Sequence, residues 1–155
     1  MGADARLQEL GIALPEPFSP AGSYVPAVVT GNLIFVSGQG PLSQEGGITG
    51  KVGGPDVDLE RGKEAARRCG LQLLAALRAE LGSLDRVTRI VKVLGMVNCA
   101  PGFNDTPGVI NGCSDLLVEV FGAEIGRHAR SAVGMAELPF DIAVEIELVA
   151  EVAPG

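Results

Sequence analysis

The stretch from Arg86 to Asn98 constrains this chain more than any other. Side chains alternate across a strand with a period of two. Read that way, Val87, Val91, Val93 and Val97 share one face, and Ile90, Leu94 and Met96 share the other. A strand that is apolar on both faces belongs inside a sheet that is covered on both sides. Two helical patterns are available as cover. Between Asp58 and Leu81, Ala66, Cys69, Leu73, Leu77 and Leu81 recur at helical spacing, with Gly82 as the expected C-cap. Thr106 is expected to cap a second helix with Pro107 at its first position. Its stripe is Val109, Cys113, Leu116 and Val120, widened by Ile110 and Leu117, and Gly122 closes it near Phe121. Two helices cover only one face of a single sheet. The second face therefore calls for another cover, and self-association is the cheapest.

The remaining elements fall around this frame. Residues 3 to 13 read as a short helix with Leu7, Leu10 and Ile12 on its apolar side, ended by Leu14-Pro15-Glu16-Pro17. Residues 18 to 29 read as extended, Thr30-Gly31-Asn32 as a turn, and Leu33 to Ser37 as a buried strand, so that 18 to 37 form a hairpin. Gly38 to Gly54 reads as a glycine-rich loop. It is not a phosphate loop, because Val52 follows Gly50-Lys51 and Glu45 stands where the first glycine is needed. Gly38-Gln39-Gly40 lacks the third glycine of a dinucleotide fingerprint. Cys99 to Pro107 reads as a loop. At the end of the chain, Arg130 to Ala136 and Ile142 to Val152 read as strands joined by a short loop. In the second, Ile142, Val144, Ile146, Leu148 and Val152 alternate with Ala143, Glu145 and Glu147. If these two strands are neighbours, Arg130 and Glu145 face one cavity, or form a cross-strand ion pair with no further role. The order is β-β-α-β-α-β-β, an α+β single domain with a mixed sheet and two helices on one face.

Charge and punctuation exclude several classes. A net charge of −7 disfavours sequence-independent binding of nucleic acid and of anionic membranes, both of which need a basic surface. The N-terminus has no apolar core of a secretory signal, and Arg6 occupies the position where myristoylation needs Ser or Thr. No apolar run is long enough for a bilayer. Three cysteines, Cys69, Cys99 and Cys113, without Cys-x-x-Cys spacing, suit reduced thiols in a cytoplasm rather than disulfides or zinc. Cys69 and Cys113 sit on helical stripes as inert core residues, and Cys99 sits in a loop.

One set of motifs says more. Ala129-Arg130-Ser131, Val133, Leu138-Pro139 and Val144-Glu145-Ile146-Glu147 together resemble the C-terminal signature of the reactive intermediate deaminases. That family is also called YjgF-like and is often labelled L-PSP endoribonuclease. Ser23-Tyr24-Val25 and Ile34-Phe35-Val36-Ser37-Gly38-Gln39 fit in order, so the resemblance covers residues 18 to 152, with 1 to 17 as an N-terminal extension. It implies a chorismate-mutase-like fold, assembled as a homotrimer with sheets facing inward and sites in clefts between subunits.

The resemblance also assigns roles. Arg130 aligns with the arginine that binds the substrate carboxylate, which its planar fork suits. Glu145 aligns with a glutamate near a water, and a partly desolvated carboxyl has a pKa suited to moving protons in imine hydrolysis. Tyr24 would wall the pocket and hold a water. Ser37, Gly38, Asn111, Ser131 and Ala132 would line or contact the ligand, Ser37 as a wall rather than a nucleophile. Glu147 shares the face of Glu145. His128, the only histidine, would flank the entrance with Arg127. Many members carry cysteine two places after the arginine, where this chain has Ala132. The implied activity is hydrolysis of 2-aminoacrylate-type enamines and imines, which bear a carboxylate, to 2-keto acids and ammonia, with no metal or cofactor. The alternatives are a non-catalytic sensor using the same cleft, and an endoribonuclease, which the acidic charge disfavours.

Overall fold

A computed structural model describes all 155 residues. Three helices, α1 (Ala3–Glu9), α2 (Leu59–Leu81) and α3 (Thr106–Gly126), accompany seven strands. These are β1 (Ala27–Thr30), β2 (Leu33–Gln39), β3 (Leu42–Ser43), β4 (Gly46–Gly47), β5 (Val87–Asn98), β6 (Ala129–Met135) and β7 (Val144–Val152). Five strands make one mixed sheet in the order β1-β2-β7-β5-β6. Only the β5–β6 pair is parallel. Helix α2 packs on β2 and β7, and α3 on β5 and β6, all on one face. Ile34, Leu73, Leu77, Ile110, Leu116 and Ile146 are fully buried between the layers.

The two helical stripes form the predicted helices, with small changes at their ends. Asp58 caps α2 by accepting the Arg61 N–H at 2.8 Å, and Gly82 ends it at φ 83°. The cap of α3 is Asp105, not Thr106: its Oδ1 accepts the Gly108 N–H at 3.0 Å. Thr106 is the first helical residue, and its hydroxyl donates to the Ala132 carbonyl at 2.9 Å, tying α3 to β6. Gly122, at φ 78°, breaks α3 as expected, but one more turn follows and runs to Gly126. The first helix stops at Glu9 rather than at the prolines. Gly11 takes a left-handed φ of 66°, and the Ile12 N–H reaches back to Leu7 O at 2.9 Å. Ala3 and Leu7 of α1 belong to the main core.

Four strand expectations are corrected. Only Ala27–Thr30 of the segment 18 to 29 is strand. The glycine-rich segment is not all loop: β2 extends to Gln39, and β3 and β4 form a small hairpin. Arg68 donates to Ser43 Oγ and Gln72 to Leu42 O, pinning that hairpin to α2. On β5 the faces are not the ones that strict alternation gives. The register with β7 slips between Ile90 and Lys92, so Ile90 joins Val87, Val93 and Val97 in the core while Val91 turns outward. Finally, the last two strands do not pair. Strand β5 lies between β6 and β7, and β7 begins at Val144, because residues 138 to 142 form a turn.

That turn partly covers the second sheet face from within the chain. Leu138 and Ile142 pack on Met96. Phe140 and Asp141 both hold φ 57°, with the Ile142 N–H on Pro139 O at 3.2 Å, a mirror-image turn that non-glycine residues enter only at a cost. The buried Asn98 holds it in place. Its Nδ2 donates to Asp141 Oδ1 at 3.0 Å and Ile142 O at 3.2 Å, and its Oδ1 accepts from Lys51 Nζ at 2.8 Å. The rest of this face is mixed. Val28, Phe35, Ser37, Lys92, Leu94 and Glu147 line an open cavity of about 290 Å³. No helix is long and apolar enough to cross a membrane.

Candidate active site

Two groups of candidate residues emerge, and they lie apart. The first is built around Arg130 on edge strand β6. Arg130 stands beside Val93 of β5, whose side chain is in the core, so Arg130 points toward α3. Its Nη1 donates to Asn111 Oδ1 at 2.8 Å and Ser114 Oγ at 3.2 Å, and its Nη2 to Pro107 O at 3.4 Å. Asn111 and Ser114 are one turn apart on α3, and Pro107 lies in the first turn of that helix. All three acceptors are neutral, and no carboxylate lies within ion-pair distance of this half-buried cation. The three contacts leave Nε–H and one Nη2–H without a protein partner, and Nε and Nη2 share one edge of the guanidinium. That edge is a fork for a carboxylate.

The second group lies toward the other side of the sheet. Glu145 of β7 faces away from the helices, opposite Met96 and against Gly38 of β2. A Cβ on Gly38 would sit 3.0 Å from Glu145 Cδ. Burial raises the Glu145 pKa, and the like charge of Glu147 adds to it. The Ser37 hydroxyl donates to Val25 O at 2.7 Å, so it holds the segment before β1 and is no nucleophile. Tyr24 is 53% exposed, and its hydroxyl accepts the Ala21 N–H at 3.4 Å.

Within one subunit, therefore, Arg130 and Glu145 neither face one cavity nor pair across neighbouring strands, contrary to the expectation from sequence. In register, Glu145 stands beside Met96 and Val133, two strands and three residues away from Arg130, and on the opposite face. That is about 10 Å across and about 10 Å along the sheet. Ser131 also faces away from Arg130 and accepts from Lys92 Nζ at 2.9 Å. Ala132 contributes its carbonyl to Thr106.

Sequence reasoning missed Ser114, whose only signal was its place three residues after Asn111 on one helix face. His128 does more than flank an entrance. Its Nδ1 is 2.7 Å from Gly126 O and its Nε2 2.9 Å from Ser114 Oγ. Cys69 and Cys113 are fully buried, and burial pushes the Cys113 thiol up to about 12. Burial also raises Cys99. Nowhere do three His, Cys, Asp or Glu side chains converge as a metal site would need.

An expected pH effect follows from Glu145. If its carboxylate is the base, activity rises with pH through a pKa held above 4.5. Glu147→Gln removes the like charge, lowers that pKa, and moves the acid limb of log kcat against pH to lower pH. An unmoved limb would count against Glu145 as the base.

A family model, YjgF/chorismate mutase-like with a candidate endoribonuclease label, matches residues 4–152. Protein TCP17 of Trypanosoma cruzi is 48% identical over 148 residues, covering 95% of this chain and 92% of that protein. A 2-iminobutanoate/2-iminopropanoate deaminase of Dermatophagoides farinae is 30% identical over 138 residues, covering 88% and 91%. A crystal structure from Shewanella oneidensis, described as a candidate endoribonuclease, superposes with a TM-score of 0.92 at 30% identity, covering 98% of this chain and all of that one.

Proposed function

The chain belongs to the YjgF/chorismate mutase-like family, and from that premise we propose a cytoplasmic, homotrimeric enzyme that hydrolyses reactive enamines and imines of the 2-aminoacrylate type. The observation that carries the reading is the Arg130 guanidinium, held by neutral oxygens with one forked edge free. A half-buried cation without an anion is a receptor for one. The relative named for 2-iminobutanoate and 2-iminopropanoate deamination supports the choice of ligand, since both imines carry a carboxylate beside C=N.

In the proposed reaction, the enamine tautomerises to its imine and Arg130 binds the carboxylate. Glu145 takes a proton from the attacking water as the oxygen bonds to the C=N carbon. That proton goes to the imine nitrogen, giving a carbinolamine. Glu145 then passes the remaining hydroxyl proton to the amine as C=O forms and the C–N bond breaks, so imine and water become keto acid and ammonia. The carbon is already electrophilic, and the step calls for no cofactor.

Trimerisation is part of the proposal because the two groups lie on opposite sides of the sheet. Arg130 is on edge strand β6, and Tyr24 precedes the other edge, β1. Four strand spacings, about 19 Å, separate those edges. A small substrate meets both only where the β6 edge of one subunit meets the β1–β2 side of the next. Val28, Phe35 and Val133, apolar and 38% or more exposed, supply surface for such contacts.

The test generates 2-aminoacrylate in situ and follows keto acid and ammonia release, beside light scattering. Acceleration over spontaneous hydrolysis, in proportion to trimer, is expected. No acceleration with 2-oxobutanoate still binding would make the chain a small-ligand sensor. RNA binding that falls steeply with salt would favour the nuclease label instead.

A further inference from the structure

The partners of Arg130 continue into a chain of hydrogen bonds that ends on the only histidine. Gly126 O can only accept, so the 2.7 Å contact places the ring proton on Nδ1 of His128. In the neutral ring Nε2 is then an acceptor, and the Ser114 hydroxyl donates to it at 2.9 Å. With that proton committed, the lone pairs of Ser114 Oγ are left for Arg130 Nη1, 3.2 Å away.

The surroundings keep the ring in this state. Arg89 and Arg127 line the same recess as His128, Arg130 lies beyond Ser114, and no carboxylate bonds to the ring. Burial holds its pKa below 6.5, the Gly126 bond opposing and the Arg130 charge adding to the effect. The break at Gly122 and the extra turn after it present the Gly126 carbonyl that fixes the tautomer.

We infer that His128 and Ser114 are positioning residues: by fixing the hydroxyl of Ser114 they hold the Arg130 guanidinium in one orientation, with its forked edge ready for a carboxylate. This deepens the deaminase reading and rests on it. A long arginine loses rotamer freedom when it binds, and a side chain already fixed loses less, so preorganisation appears as affinity.

The test uses the full-length trimer and 2-oxobutanoate, a keto acid of the product class, with binding measured by calorimetry. Ser114→Ala and His128→Ala are each expected to weaken binding by about 3-fold to 10-fold, the effect of one hydrogen bond, with KM raised and kcat nearly unchanged. Because His128 acts through Ser114, the double variant should be no worse than Ser114→Ala alone. Ser114→Thr keeps a hydroxyl and should bind nearly as the parent does. The single histidine gives one pair of carbon-bound ring-proton NMR signals, and the Hε1 signal should move with 2-oxobutanoate in the parent and stay unmoved in Ser114→Ala. Additive losses, or unchanged binding in both single variants while Arg130→Ala still weakens it, would overturn the positioning role and leave the anchor standing. Unchanged binding in Arg130→Ala would overturn both. Should Ser114→Ala fail to assemble, Ser114→Thr and the histidine signal of the parent carry the test: a signal unmoved by bound keto acid overturns it.

Discussion

Arg130→Ala is expected to lower kcat/KM for an imino acid by about 30-fold to 1000-fold, with the proposed trimer intact. A bidentate, charge-assisted contact is worth roughly 2 to 4 kcal/mol on the scale of hydrogen bonds to charged groups, and each 1.4 kcal/mol is a factor of about ten. Arg130→Lys should fall between, keeping the charge but losing the fork. The structure sharpens the expectation. The guanidinium has no carboxylate partner, so its removal does not strand an internal anion. What it leaves are Asn111 Oδ1, Ser114 Oγ and the Pro107 carbonyl at a half-buried surface, and water can reach the exposed Asn111. Stability should therefore change little. Kinetics and thermal unfolding, run side by side, decide. A trimeric variant with near-parental efficiency would remove the anchor and the main reason for reading this chain as a deaminase.

Gly112→Ala is expected to have the largest effect on stability. Gly112 lies on α3 where that helix crosses α2, and a Cβ there would drive into the backbone carbonyl of Lys63. Gly70 is the reciprocal contact on α2: a Cβ there would lie 2.8 Å from Leu116 Cδ2. A side chain can turn away, but a helix backbone cannot, so the two helices must separate. Overpacking of this kind costs about 1 to 3 kcal/mol or more, against a gain of about 1 kcal/mol from the better helix propensity of alanine. We expect a net loss of about 1 to 2 kcal/mol and a fall in Tm of about 2 to 8 °C for a chain of this size. The effect should reach function too, because Asn111 is the adjacent residue and Arg130 rests on it. Thermal unfolding with KM measured alongside checks both, and an unchanged Tm would mean that the helices do not meet through this glycine.

Much of this architecture was legible from residue patterns. The stripes of α2 and α3, the stop at Gly82 and the break at Gly122 follow from local chemistry, namely helical periodicity and glycine's tolerance of a left-handed φ. The C-terminal motif was enough to place the chain in its family. Errors arose where a non-local contact overrode the local signal. Ile90 and Val91 exchanged faces because β5 slips register against β7. Thr106 gave up the cap because its hydroxyl bonds to Ala132, 26 residues away.

The candidate site divides along the same line. Sequence by itself determined that Arg130 and Glu145 lie on alternating strands near the end of the chain, since side-chain chemistry and a period of two are local properties. It did not determine which strands touch. Insertion of β5 between β6 and β7 is a choice of sheet order, and it places Arg130 on the helix side of the sheet and Glu145 on the other. Ser114, His128 and Gly126 are unremarkable in the sequence. They become a hydrogen-bonded support for Arg130 only because α3 breaks at Gly122 and folds one further turn back against the start of β6. Hydrogen bonds at 2.7 to 3.2 Å depend on where three separate segments meet, and packing of the tertiary structure fixes that meeting where spacing along the chain does not.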